Sequence, residues 1–148
     1  MPILTNEMMR EIILDHNSNP LNKKVPLDAS GYYTIRMDSD SCIDDITLYL
    51  KLEKGTLKDL KFDGVACAIS TASTDILCDL VINKTIKEAF YIIENYLNML
   101  YEKDYDEEIL EEANVFANTH KQASRIKCAT IGFVGLQQLL EEHKNEEK

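Results

Sequence analysis

Four cysteines, Cys42, Cys67, Cys78 and Cys128, and one carboxylate close to the first of them are the residues of this chain best suited to chemistry. Cys42 and Asp44 are two positions apart, so on an extended segment both side chains leave the same face. That is also the face of Ile46, Leu48 and Leu50, the one expected to turn to the core. A thiol and a carboxylate at the end of a buried face need a partner, because unpaired buried charge is costly, and a metal ion supplies one. The plainer alternative makes Asp44 a solvated strand-end residue and Cys42 a small packed hydrophobe.

Cys67 lies in Gly64-Val65-Ala66-Cys67-Ala68-Ile69-Ser70, where a strand pattern gives way to a helical one. Cys128 follows Arg125-Ile126-Lys127, near the start of the last helical pattern. Both are therefore expected near helix N-termini, and Arg125 and Lys127 add cations beside Cys128. Such surroundings lower a thiol pKa and favour thiolate, the form that binds metal and attacks as a nucleophile. The alternative is a pair of buried helix cysteines. Taken together, three thiolates and one carboxylate form a tetrahedral set suited to Zn²⁺ or to an iron–sulfur cluster. The excess negative charge of that set is one that Arg125, Lys127 and the helix termini can offset. The Cys-x-x-Cys knuckle of many zinc sites is absent. Cys78, in Asp75-Ile76-Leu77-Cys78-Asp79-Leu80, has no basic neighbour and reads as a packed residue. His16 ends an apolar stripe and reads as structural rather than catalytic, and His120 and His143 stand in polar surroundings. The sequence has no Gly-rich phosphate loop, no His-Glu-x-x-His and no Ser-His-Asp order.

The elements that must position these groups follow from periodicity. Thr5 can cap a first helix carrying Met8, Met9, Ile12, Ile13 and His16 at helical spacing, and Asn19-Pro20 stops it. Tyr33 to Met37 reads as a strand. A second strand alternates with period two from Cys42: Asp44, Ile46, Leu48, Leu50 and Leu52 on one face, Asp45, Thr47, Tyr49, Lys51 and Glu53 on the other. Lys54-Gly55 signals a tight hairpin into a third strand, Leu57 to Phe62. Beyond Gly64 the period becomes helical: two helices joined near Asn83-Lys84, a short acidic helix from about Asp106 to Phe116, and a long helix from about Ala123 to Glu141. One helix, three antiparallel strands and a set of helices packed on the sheet make an α+β fold.

The 148 residues suit one domain, 1–148, with the acidic tail from Glu141 expected to fray. Sixteen Lys and Arg against 26 Asp and Glu give a net charge of −10, which disfavours nucleic acid or an anionic membrane as partner. It favours a basic protein patch or a cation. No apolar run approaches the roughly 20 residues of a membrane span, and the first residues lack an export signal. A soluble, cytoplasmic protein is expected.

Four stretches resemble the U-type iron–sulfur cluster assembly proteins, the family of SufU, IscU and the N-terminal part of NifU. Asp15-His16, Asn19-Pro20 and Asn22 are similar to the family's Asp-His-Tyr-x-Asn-Pro-Arg-Asn. Cys42-Ile43-Asp44-Asp45-Ile46-Thr47-Leu48 resembles Cys-Gly-Asp-x-Ile-x-Leu. The Cys67 stretch, through Ala68-Ile69-Ser70-Thr71-Ala72-Ser73, resembles Gly-x-Gly-Cys-Ala-Ile-Ser-x-Ala-Ser, and Arg125-Ile126-Lys127-Cys128-Ala129 resembles the third cysteine segment. Lys127, where IscU proteins carry His, the long segment between Cys67 and Cys128, and the missing Leu-Pro-Pro-Val-Lys motif point to the SufU branch. The chain departs from the family at Ile43, which replaces a Gly, and at Asn17 and Leu21.

The resemblance implies zinc held by Cys42, Asp44, Cys67 and Cys128, with Arg125 and Lys127 in support. It implies a zinc-dependent sulfurtransferase whose Cys42 accepts persulfide sulfur from a cysteine desulfurase (SufS-like) and relays it to downstream assembly or acceptor proteins. The alternative is a scaffold, not an enzyme, on which Cys42, Asp44, Cys67 and Cys128 hold iron or a labile [2Fe–2S] cluster. A further alternative is an interaction module whose zinc is purely structural.

Overall fold

A computed structural model of the chain describes residues 4–39 and 43–146. In chain order its main elements are helix α1 (Asn6–Ser18), strands β1 (Tyr33–Asp38), β2 (Asp45–Glu53) and β3 (Thr56–Val65), and helices α2 (Ala68–Val81), α3 (Ile86–Leu100), α4 (Glu107–Leu110) and α5 (Ala123–His143). This is the α+β arrangement expected. The Thr5 hydroxyl accepts the Met8 N–H at 3.1 Å and so starts α1. The helix ends ahead of Asn19-Pro20, whose ring disfavours helical backbone at the residue before it.

The strands form one antiparallel sheet in the order β1-β2-β3. Ile35 pairs with Leu48 and Leu48 with Phe62, while Met37 pairs with Ile46 and Ile46 with Gly64. Ile46, Leu48, Leu50, Leu60 and Phe62, all fully buried, therefore share the face that receives the helices. Leu52 belongs to the same alternation but is only partly buried, because the register shifts between Lys51 and Leu52. Lys54 and Gly55 both have positive φ, 53° and 75°, the backbone of a primed two-residue hairpin turn. β3 runs three residues past its expected end. Its outer edge is covered where the Phe62 N–H donates to the Asn22 carbonyl at 3.1 Å, which leaves less edge open to strand addition.

α2 is the central helix, packed between α1 and α5 and against β3. Its buried residues include Ser70, Thr71, Ser73 and Thr74 as well as Ile76, Leu77 and Cys78, so small hydroxylated side chains set how close its neighbours come. A Cβ on Gly132 of α5 would lie 2.5 Å from Thr74 Oγ1, and only glycine lets the two helices approach this far. α3 joins α5 through the stacked rings of Tyr96 and Phe133, 3.6 Å apart, and through the Tyr96 hydroxyl, which donates to the Ala129 carbonyl at 2.8 Å.

Two expectations are corrected. The acidic segment is not one helix. α4 is a single turn, and a 3-10 stretch follows over Glu111–Phe116. Glu111 has φ 44°, which a right-handed helix cannot pass through. The last helix also does not stop at Glu141. α5 continues to His143, whose ring stacks on Tyr33 with centroids 3.6 Å apart, and a 3-10 turn covers Lys144–Glu146. Among the described residues, no helix is long and apolar enough to cross a membrane.

Candidate metal centre

Asp44 stands immediately before β2 and is 1% exposed, so it is not a solvated strand-end residue. Its backbone oxygen accepts the Ser39 N–H at 2.9 Å. Its carboxylate Oδ1 accepts the Cys67 N–H at 2.8 Å, and Oδ2 accepts the Ser70 hydroxyl. Burial of Asp44 is therefore compensated by protein donors. Its place on a buried face thus does not by itself call for an ion.

Gly64 makes the meeting of Asp44 and Cys67 possible. Its φ is +124°, and a Cβ there would lie 2.2 Å from the Asp45 carbonyl oxygen. A residue with a side chain would push β3 off the start of β2. With glycine, β3 continues to Val65, which pairs with Asp45, and the chain turns into α2 two residues later. Cys67 is the N-cap of α2, with extended backbone, and its Sγ accepts the Ser70 N–H at 3.4 Å. Cys67 Sγ is 4.0 Å from Asp44 Oδ2.

Cys128 arrives from α5. It is 4% exposed and lies one helical turn before Gly132, while Ser70 lies one turn before Thr74. The close Thr74–Gly132 contact thus draws the preceding turns of α2 and α5 together. One carboxylate oxygen of Asp44 and the sulfurs of Cys67 and Cys128 all lie within 4.8 Å of one another. Ligands at zinc–sulfur and zinc–oxygen bond lengths on neighbouring corners of a tetrahedron stand roughly 3.5–3.8 Å apart. Two sulfurs and one oxygen gathered within 4.8 Å are the donor types zinc takes, and the Cys67–Asp44 pair at 4.0 Å is close to that separation.

Cys42 lies outside the described residues. Arg125 and Lys127 are exposed on the first turns of α5. Cys128 is the sixth residue of that helix rather than part of its first turn. The favourable field of the helix end, which fades within a turn, acts on Cys67 and not on Cys128. Cys78 is fully buried, burial drives its thiol pKa well up, and it packs as an inert residue.

A second polar cluster surrounds His16, read from sequence as structural. Its Nδ1 is 2.5 Å from Asp75 Oδ2 and its Nε2 meets Glu112 Oε1. Asp75 Oδ1 accepts the Asn22 backbone and side-chain N–H groups at 2.9 and 3.1 Å. Asp79 accepts Asn22 Nδ2 at 3.0 Å. The cluster ties α1 and the Asn22 loop to α2. Sequence reasoning passed over Ser70 and Asp75. The available signal was a run of polar residues inside an otherwise apolar helix, together with Ser70 three positions after a capping Cys67.

Comparison with known proteins agrees with this architecture. Over 131 residues the chain is 33% identical to the zinc-dependent sulfurtransferase SufU of Bacillus subtilis (strain 168), covering 88% of this chain and 87% of that protein. It is 35% identical over 100 residues to the iron–sulfur cluster assembly scaffold protein IscU of Thermotoga maritima, covering 68% and 70%. Among solved structures, FiSufU of the SUF system from Fervidobacterium islandicum AW-1 superposes with a TM-score of 0.80 at 30% identity, covering 86% of this chain and 93% of that one. The N-terminal part of a NifU-like protein from Brucella abortus shares the fold, with a TM-score of 0.79 at 19% identity over 91% of this chain and 93% of that one. Residues 8–129 match the NifU-like N terminal domain, a span that takes in Asp44, Cys67, Cys128 and the His16 cluster, and the chain belongs to that family.

Proposed function

We propose that this chain serves iron–sulfur cluster assembly as a zinc-bound sulfur acceptor, taking persulfide sulfur from a cysteine desulfurase and passing it to cluster-building partners. The observation that carries this reading is the convergence of Asp44, Cys67 and Cys128 within 4.8 Å. The name of the Bacillus subtilis relative supports the choice of zinc and of sulfur transfer. Cys42, two residues before Asp44, is the fourth ligand and the acceptor. When bound, zinc keeps its thiolate ligands deprotonated at neutral pH. Cys67 and Cys128 hold their positions because both belong to helices packed on the core. Asp44, the one oxygen donor in a set of softer thiolates, is the ligand that exchanges most readily. In the transfer the Cys42 thiolate attacks the outer sulfur of the partner's persulfide. A new S–S bond forms on Cys42, the partner's S–S bond breaks, and the partner cysteine leaves as thiolate. No electrons enter or leave.

Elemental analysis of the chain purified without added metal tests the site, with about one zinc per chain expected on the four-ligand geometry. Full occupancy in a Cys67→Ala, Cys128→Ala double variant overturns it. Reaction with a cysteine desulfurase and cysteine, followed by peptide mass spectrometry, tests the transfer, with one added sulfur atom expected on the peptide carrying Cys42. Sulfur found only on Cys67 or Cys128 rejects the assignment. The IscU relative supports a second reading, a scaffold for a [2Fe–2S] cluster. Anaerobic reconstitution followed by visible spectroscopy separates the two, since only the scaffold retains a coloured cluster.

A further inference from the structure

The side chain that organises the candidate ligands is not one of them. Ser70 is fully buried in the first turn of α2. Its hydroxyl donates to Asp44 Oδ2, its Oγ lies 3.3 Å from Cys67 Sγ, and its own backbone N–H donates to that sulfur at 3.4 Å. A serine hydroxyl has one hydrogen and two lone pairs, and here the hydrogen goes to the carboxylate. Asp44 is thereby gripped from two sides, by the Cys67 amide at Oδ1 and by Ser70 at Oδ2. Without the hydroxyl the hold on Oδ2 from the α2 side is lost, and the carboxylate can turn about its last side-chain bond, taking Oδ2 away from Cys67 Sγ.

We propose that Ser70 is a positioning residue of this centre, holding an oxygen donor from the β2 entry and a sulfur donor from the α2 cap side by side so that a metal ion finds both preformed. The proposal rests on the reading above that the centre binds zinc. Ser70 joins two candidate ligands from different elements in a single buried contact, the position from which outer partners fix the direction of a ligand. Ser73 is the natural comparison. It is equally buried in the same helix, but its hydroxyl donates to the Ser70 carbonyl at 3.2 Å.

The test uses the full-length chain stripped of metal. Zn²⁺ affinity is read by competition with a chromophoric chelator, Co²⁺ binding by visible absorption, and release by chelator capture, with urea unfolding of each metal-free variant as the stability control. Ser70→Ala should weaken Zn²⁺ binding about 10- to 100-fold and speed release correspondingly, as loss of an outer partner does. Ser73→Ala should bind as the unaltered chain does, and Ser70→Thr, which keeps the hydroxyl, should recover most of the affinity. Ser70→Ala binding and releasing zinc like the unaltered chain overturns the proposal while leaving the metal centre standing. So does an equal loss in Ser73→Ala, which would reduce the effect to helix stability. An unaltered chain that takes up neither Zn²⁺ nor Co²⁺ overturns the proposed function and this inference together.

Discussion

Replacing His16 by alanine should remove a charged clamp, and the loss should depend on pH in a direction that can be worked out. Both ring nitrogens face carboxylates, Nδ1 at 2.5 Å from Asp75 and Nε2 against Glu112. Ionised carboxylates only accept, and neutral imidazole has one N–H, so with Asp75 and Glu112 both ionised the two contacts are served together by imidazolium. Burial pulls the His16 pKa down, but the bonds to Asp75 and Glu112 outweigh it and leave the pKa above its ordinary value. The Asp75 side chain is 1% exposed and that of Glu112 is 48% exposed, so the two bonds are not equal. A hydrogen bond to a buried charged group contributes about 1.5–3 kcal/mol, whereas the half-exposed one is screened to below about 1 kcal/mol. His16→Ala should therefore cost about 3 kcal/mol, moving the urea midpoint down by roughly 1.5 M at an m-value of about 2 kcal/mol/M. Because the folded pKa is raised, this contribution is complete below the unfolded pKa of about 6.5 and is lost as pH climbs through the folded value. Urea unfolding of both proteins at pH values of about 6 and about 9 should thus show a gap that narrows on the alkaline side. A gap below about 0.5 M at the acid end, or one of constant size across the range, would refute the clamp.

Gly132→Ala should destabilise by about 2 kcal/mol, since its Cβ would lie 2.5 Å from Thr74 Oγ1, and thermal unfolding reads the loss. Adding Thr74→Ala should return part of it, because no hydrogen-bond partner of the buried Thr74 hydroxyl is found among the described residues. Gly64→Ala meets backbone rather than a side chain, at 2.2 Å and with φ +124°, so it should cost more than about 3 kcal/mol and abolish zinc uptake measured by elemental analysis. Asp44→Ala should change the rate of chelator-driven zinc release, and an unchanged rate would exclude Asp44 as a ligand. Cys78→Ala should leave zinc content unchanged, because Cys78 is fully buried in the core and stands apart from the Asp44, Cys67 and Cys128 donors.

Local patterns in the chain were enough to determine its strands and the starts of its long helices. The alternation through Ile46, Leu48 and Leu50, the Lys54-Gly55 turn, the Thr5 cap and the change of period after Gly64 all depend on neighbours a few residues apart, and each reappears in the fold. The break at Glu111 was not legible, because nothing in an acidic, helix-compatible run marks one residue for positive φ. Nor was the continuation of α5 past Glu141 to His143, whose ring meets Tyr33, more than a hundred residues earlier. At the centre, the residue types and the strand-to-helix setting of Cys67 were readable one segment at a time. Tertiary packing alone decided that Asp44 is served by the Cys67 amide and Ser70, that Cys128 lies beyond the reach of its helix end, and that His16 is clamped by Asp75 and Glu112. The physical reason is distance along the chain. Periodicity and capping report which face of an element is buried, but which atoms meet there depends on how closely Gly64 and Gly132 let separate elements approach.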